Sequence, residues 1–332
     1  MIKKRNLDNS LIQWIMTQTG LGPGIGEIFY VAPVPSATSQ YRTQLQSNNI
    51  ATEIDATIAA AYAKMVTHRN DVMLVMPGWY STPSFEWGKS HAHCLGLSDS
   101  HVTGTNGTGA TVIYQSVATA AYTMDMSGAY NVFQNIAIHH YGNAATSLSA
   151  LKLNGTNSRF QGCDLLGIGG TTAGADRDCA VLWVPALSDH GAECRFNNCG
   201  IRDANAARTS TEGGLVLFGT FGETGGNCGK NMQFNDCRLI SRSEATGAHM
   251  VAIASPMDGL IEWAKCTFYN HSVNQGNTML AAFGVNASGT YVHILRQCSF
   301  PRIAEVQITD TGYIYTVDAD AADSGGIPNE AT

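Results

Sequence analysis

A short phrase returns along the second half of this chain: an aromatic or leucine residue, a cysteine three places later, and an apolar residue two places beyond that. It reads Phe160-Gln-Gly-Cys163-Asp-Leu165, Phe196-Asn-Asn-Cys199-Gly-Ile201, Phe234-Asn-Asp-Cys237-Arg-Leu239 and Trp263-Ala-Lys-Cys266-Thr-Phe268. Leu295-Arg-Gln-Cys298-Ser-Phe300 closes the series, and Phe133-Gln-Asn-Ile136-Ala-Ile138 opens it with isoleucine in the cysteine place. The cysteines lie 36, 38, 29 and 32 residues apart, the period of an architecture in which each repeat buries its apolar face against the next. A chain with this repeat is a solenoid, and its function belongs to the surface or the ends of a rod.

The repeat is made of strands. Each cysteine and the residue two places after it share one strand face, and the residue between faces out. Asp164, Gly200, Arg238, Thr267 and Ser299 form that outward column, whose mixed chemistry suits a solvated surface. A second apolar run precedes each phrase, as in Ala180-Val-Leu-Trp-Val184 and Met250-Val-Ala-Ile253, and Gly, Asn, Ser and Thr fill the spaces between. Two or three short strands per turn describe an all-β fold, a right-handed parallel β-helix. The rival, a β-propeller, needs tight hairpins at regular spacing, and Asn154-Gly155 is the one such pair near a repeat strand. Inside the helix, Phe160, Phe196, Phe234 and Trp263 are expected to stack beside Cys163, Cys199, Cys237, Cys266 and Cys298 as reduced thiols. The cysteine count, nine, is odd, and no C-x-x-C pair is present.

Other features bound the chemistry. The net charge of −7 argues against a nucleic-acid binder, which needs a basic stripe. No apolar run approaches the ~18 to 20 residues that span a bilayer, and no cleavage site follows the basic start. His91-Ala-His93-Cys94 places its histidines on one strand face and the cysteine on the other, so the three do not meet at one metal, and the alternative is a two-histidine site completed by a distant carboxylate. His139 and His140 point to opposite faces. Gly20 to Gly26 is a hinge, since it lacks the Lys-Ser/Thr of a phosphate loop. Carboxylates cluster at Asp176, Asp178, Asp189, Glu193 and Asp203, but the repeat does not align them across the ~5 to 9.5 Å that glycoside cleavage requires. No catalytic, cofactor-binding or metal-ligating residue is assigned, and the chain is expected not to be an enzyme.

The front of the chain differs. Residues 8–18 carry Leu11, Ile12 and Ile15 on one helical face. After the glycine hinge come a strand at 26–31 and a second amphipathic helix marked by Ile54, Ile58, Tyr62 and Met65, placed to cap the solenoid end. Four segments follow: an attachment arm and hinge at 1–25, a first strand and capping helix at 26–70, the β-helix at 71–310, and an acidic tail at 311–332.

Gly26-Glu-Ile-Phe-Tyr-Val31, the Ile54/Ile58 helix, the Val-Met-Leu-Val-Met-Pro-Gly strand and Trp87-Gly-Lys-Ser-His-Ala-His-Cys-Leu-Gly-Leu97 carry a resemblance. The chain is similar, over roughly residues 26 to 310, to pectin-lyase-like β-helix proteins of tailed bacteriophages. Two departures stand out: the loop after the first strand lacks the family's Gly/Asp/Asn-rich turn, and residues 1–25 lie outside the resemblance. The resemblance implies a virion structural protein made in the host cytoplasm and held on the capsid surface, a cement or decoration module on the major capsid protein lattice. A homotrimer is expected from such bundles, with no nucleic-acid or membrane partner. Lys3, Lys4, Arg5, Leu11, Ile12, Trp14 and Ile15 would then form the anchoring surface of the arm. The alternative is a tailspike-like protein that binds or cleaves host surface polysaccharide; the chain layout favours the first reading, since a tailspike calls for a long glycan-contacting solenoid and a separate trimerising C-terminal domain.

Overall fold

The computed structural model describes residues 26–33, 54–98, 110–167, 169–187, 189–203, 207–210, 212–221, 226–243, 248–271, 279–285, 292–307 and 313–317. Every strand pairs in parallel, in three sheets of eleven, seven and eight strands, here the first, second and third. A full coil visits the third, first and second sheets in turn. Ser149–Leu153, Arg159–Gln161 and Asp164–Gly167 form one coil, and Leu182–Val184, Arg195–Asn197 and Gly200–Asp203 form the next. With the right-handed crossover that governs parallel strands, this is a right-handed parallel β-helix.

The recurring phrase forms the corner between the first and second sheets. The aromatic residue points inward from the first sheet, the next residue faces out, and the third sits in the left-handed region. Asn135, Gly162, Asn198, Asp236, Lys265 and Gln297 have φ between 50° and 56°. One left-handed residue turns the chain sharply enough for the cysteine to enter the second sheet pointing inward again. Asn, Gly and Asp tolerate that conformation, whereas most L-residues lose about 1–2 kcal/mol there. Lys265 and Gln297 are the costly occupants. Replacing either with Asn should raise stability by about 0.5–1 kcal/mol, seen as a higher urea midpoint at unchanged slope; a lowered midpoint would show that these side chains make compensating contacts.

Inside, Phe133, Phe160, Phe196 and Phe234 align in register and stack with ring centroids 4.6 to 5.1 Å apart. Trp263 continues the pile at 4.0 Å from Phe234. Each cysteine thiol donates to the carbonyl of the aromatic residue one coil earlier: Cys199 to Phe160 at 3.5 Å, Cys237 to Phe196 at 3.5 Å and Cys266 to Phe234 at 3.3 Å. Cysteine is thus a small hydrophobe with a weak donor, a pairing that Ile136 cannot make. All nine cysteines are free, and burial pushes the Cys179 and Cys194 thiols up to about 12, far from a reactive thiolate.

At the front, Ile54 is a strand residue, not the start of a helix. Ile54–Asp55 pairs in parallel with Tyr30 and Val31, because Thr57 in extended conformation accepts from the Ala60 N–H and fixes the helix start. Helix α1 (Ile58–Lys64) buries Ile58 and Ala61 against the core, and Tyr62 packs on Phe85 and Trp87. The Lys89 ammonium donates to the Tyr62 and Met65 carbonyls at 2.6 and 2.7 Å, closing the helix C-terminus. At the other end, Tyr313–Val317 pairs with Val292–Arg296, so the first sheet runs past the boundary expected at 310. No helix among the described residues is long and apolar enough to cross a membrane.

Candidate functional site

The outer face of the second sheet holds a polar centre that register builds. Asp164 pairs with Ala137 on one side and Gly200 on the other, the two smallest neighbours available. His139 and Arg202 lie two residues beyond those neighbours, on the same face and diagonal to Asp164. The missing side chain at Gly200 is required: a Cβ there would sit 2.6 Å from Asp164 Oδ1. Through that space Arg202 reaches back with both ends of its fork, Nε to Oδ1 at 2.9 Å and Nη2 to Oδ2 at 2.5 Å. This is the bidentate geometry that makes arginine the preferred carboxylate partner.

His139 completes the centre. Its Nε2 lies 3.5 Å from Asp164 Oδ2, the outer limit of a hydrogen bond, and Nδ1 is 3.0 Å from the Tyr141 hydroxyl. Asp164 is 3% exposed. Burial alone would raise its pKa, but His139 and Arg202 together outweigh burial and hold the carboxyl below its ordinary value. The group is an ionised carboxylate locked between a guanidinium and an imidazole. Burial raises the Tyr141 phenol, which keeps it a neutral donor.

Aromatic rings frame the centre. Trp79 meets Tyr114 edge-on at 5.6 Å and His139 at 5.8 Å, and Tyr114 lies in register with His139. On the far side come Arg238 and Tyr269, in the same two outward columns. Trp79, Tyr114, Tyr141 and Tyr269 are half-buried and Arg238 is exposed. Seven strands at ~4.8 Å spacing make this a strip of roughly 29 Å. Asp164 is the one acid in its two outward columns among the described residues, so the two-acid arrangement of glycoside cleavage is not assembled there.

Other residues singled out from the sequence fall elsewhere. The outward column of Asp164, Gly200, Arg238, Thr267 and Ser299 has the expected register, but Asp164 is not solvated. The carboxylates of the acidic stretch do not converge: Asp176 accepts from the Asp178 N–H at 2.9 Å, as turn residues do, and Asp178 accepts from the Phe221 N–H of a later coil at 2.9 Å. Asp203 is buried against Arg208 at 3.0 Å. His91 and His93 do not alternate on one strand, since His91 sits at a left-handed corner (φ 53°) before the strand Ala92–Gly96. The arm residues Lys3, Lys4, Arg5, Leu11, Ile12, Trp14 and Ile15, with positions 20–25 of the glycine hinge, lie outside the described residues. No group of three or more His, Cys, Asp or Glu is placed to hold a metal among the described residues.

The signal for the centre was present in the sequence as Asp164, then Gly200 one repeat on, then Arg202 two residues further. Reading along the column alone missed it, because the partner lies on the diagonal.

No family model and no curated protein matches the chain. Solved structures do. A pectin methylesterase from Aspergillus niger aligns with a TM-score of 0.55 at 13% identity, over 94% of this chain and 92% of its own. A pectin methylesterase from carrot aligns at 0.52 and 16% identity, over 92% and 86%. Pectate lyase Pel9A aligns at 0.51 and 13% identity, over 95% and 83%. These neighbours are enzymes, which overturns the expectation that a chain of this kind is not one: a β-helix without aligned acid pairs gives no ground for excluding catalysis. At these identities the likeness is one of fold. The chain has the pectin-lyase-like right-handed β-helix fold.

Proposed function

We propose that this chain engages an extended acidic polysaccharide along the outer face of its second sheet, as a tailspike-like glycan-binding protein, with Asp164, His139 and Arg202 at the centre of the site. The observation that carries this reading is the centre itself: an ionised, buried carboxylate fixed by arginine and histidine on the outside of a sheet, within a strip of aromatic rings. A carboxylate–arginine pair is costly to desolvate, and the outer columns would have been simpler with polar residues. Trp and Tyr offer flat apolar faces with polar rims, suited to the two-sided surface of a sugar. The exposed Arg238 sets a positive group on the strip of a chain that is acidic overall, which favours uronate or other acidic sugars. The fold supports the reading as well, since a pectin methylesterase of 14% identity and TM-score 0.53 is solved in complex with a hexasaccharide.

The test is calorimetric titration with hexagalacturonate and with maltohexaose as a neutral control, on the wild type and on Trp79→Ala and Arg238→Ala. Tighter binding of the acidic sugar, weakened at least 10-fold by each substitution, a loss of about 1.4 kcal/mol, is the expected result. Equal affinity in all three proteins places the glycan elsewhere on the rod. No heat with either sugar at millimolar concentration removes a pectin-like ligand.

A further inference from the structure

We infer that His68 and His91 form a two-histidine site for a divalent first-row transition ion, with copper(II) bound most tightly, at the corner that leads into the first sheet. The two Nδ1 atoms lie 3.1 Å apart. Two imidazoles that bind one ion at ~2.0–2.1 Å have their nitrogens roughly 2.9 to 3.4 Å apart across the angles from square-planar to tetrahedral. The observed separation falls within that range, so an ion enters by small rotations of the rings while the backbone stays in place. Both rings are accessible, His68 exposed and His91 half-buried.

The pair is held there at a cost. His68 and His91 have φ of 64° and 53°, the left-handed region that asparagine and glycine adopt more readily. Backbone bonds pin them, the His68 N–H to the Ser90 carbonyl at 2.9 Å and the His91 N–H to the Ala129 carbonyl at 3.0 Å. At the corner that His91 occupies, the later coils carry Asn157, Glu193 and Asn231, and asparagine satisfies the turn without strain. Tyr130 occupies the intervening coil and stacks on His91 at 5.0 Å, fixing the ring plane. Strained side chains held in a fixed mutual geometry are the pattern that binding sites show. Imidazole pairs with open positions left to water suit copper, nickel and zinc, and the affinity order puts copper(II) first.

The alternative is a plain hydrogen bond between two neutral imidazoles, and one experiment separates the two. Copper(II) chloride is titrated into the full chain, in a buffer that does not chelate it, alongside His68→Asn and His91→Asn. Asparagine accepts the left-handed corner, so both variants should melt at or above the wild-type temperature and show that the fold is intact. The expected result is one copper per wild-type chain carrying a two-nitrogen histidine pattern in its electron paramagnetic resonance spectrum. Each variant should then bind at least 10-fold more weakly, and added copper should raise the melting temperature of the wild type alone. Equal binding in the wild type and both variants, or no copper bound by the wild type at 100-fold excess over protein (roughly the excess at which a weak site still fills), overturns the proposal.

Discussion

Between pH 7.5 and pH 5 the folded chain should lose much of its stability, and three buried histidines should account for most of the loss. Burial drives the pKa of His93 and His140 down to about 4 and that of His293 to about 3. For His93 and His293 a hydrogen bond acts in the same direction as burial. The Val132 N–H donates to His93 Nδ1 at 3.1 Å, and the Trp263 indole N–H donates to His293 Nδ1 at 3.0 Å. A proton on either Nδ1 would set donor against donor in the core. In the unfolded chain each group protonates near its ordinary value of about 6.5, so the unfolded state takes up protons first. The stability these groups contribute is complete above about pH 6.5 and is lost as pH falls through that value toward 4. At pH 5 the loss is on the order of 2 kcal/mol for each ring. For three, this approaches the whole stability of an ordinary domain, about 5–15 kcal/mol. Thermal melts at pH 7.5, 6 and 5 should show a steep fall. His293→Gln, whose side-chain carbonyl can still accept from the Trp263 indole, should move the fall to lower pH. A melting temperature that stays flat across this range contradicts the assignment.

Arg208→Met should destabilise the chain by about 3–5 kcal/mol. Arg208 is fully buried. Its Nη1 donates to the Cys179 carbonyl at 2.6 Å and its Nη2 to Asp203 Oδ1 at 3.0 Å. The other Asp203 oxygen accepts from the Ser241 hydroxyl at 3.0 Å and the Arg242 N–H at 3.1 Å. Removing the guanidinium leaves a carboxylate in the interior with two neutral donors, and an uncompensated buried charge is the expensive outcome. Arg208→Met combined with Asp203→Leu removes both charges and should recover most of the loss. Urea unfolding of the wild type and the two variants decides: a double variant as unstable as Arg208→Met alone would show that packing, and not the stranded charge, sets the cost.

The inward columns were legible in the sequence because burial imposes one residue type on a fixed period. Phe160, Phe196 and Phe234 must stack, and the cysteines must follow them. The corner was half-legible. Asn198 and Asp236 stand where a left-handed residue belongs, but Lys265 and Gln297 stand there too, and they hide the pattern from anyone reading residue types. The helix at the front was read one turn early because Ile54 has the right spacing from Ile58, whereas Thr57, the residue that starts the helix, is visible only when its capping bond is considered. Strand alternation alone makes Asp164 a solvated surface residue. Alternation gives the face of a residue and repeat length gives its neighbour across the coil. Neither shows that small residues on both sides, Ala137 and Gly200, let a diagonal arginine and histidine close over a carboxylate.

The most direct test of the proposed glycan site is a crystal structure of the chain with an acidic hexasaccharide such as hexagalacturonate. Sugar density should run along the outer face of the second sheet, crossing several strands, with a ring against Trp79 or Tyr114 and a sugar carboxylate at Arg238 or Arg202. Sugar density confined to the outer face of the first or third sheet, or to an end of the rod, would contradict it.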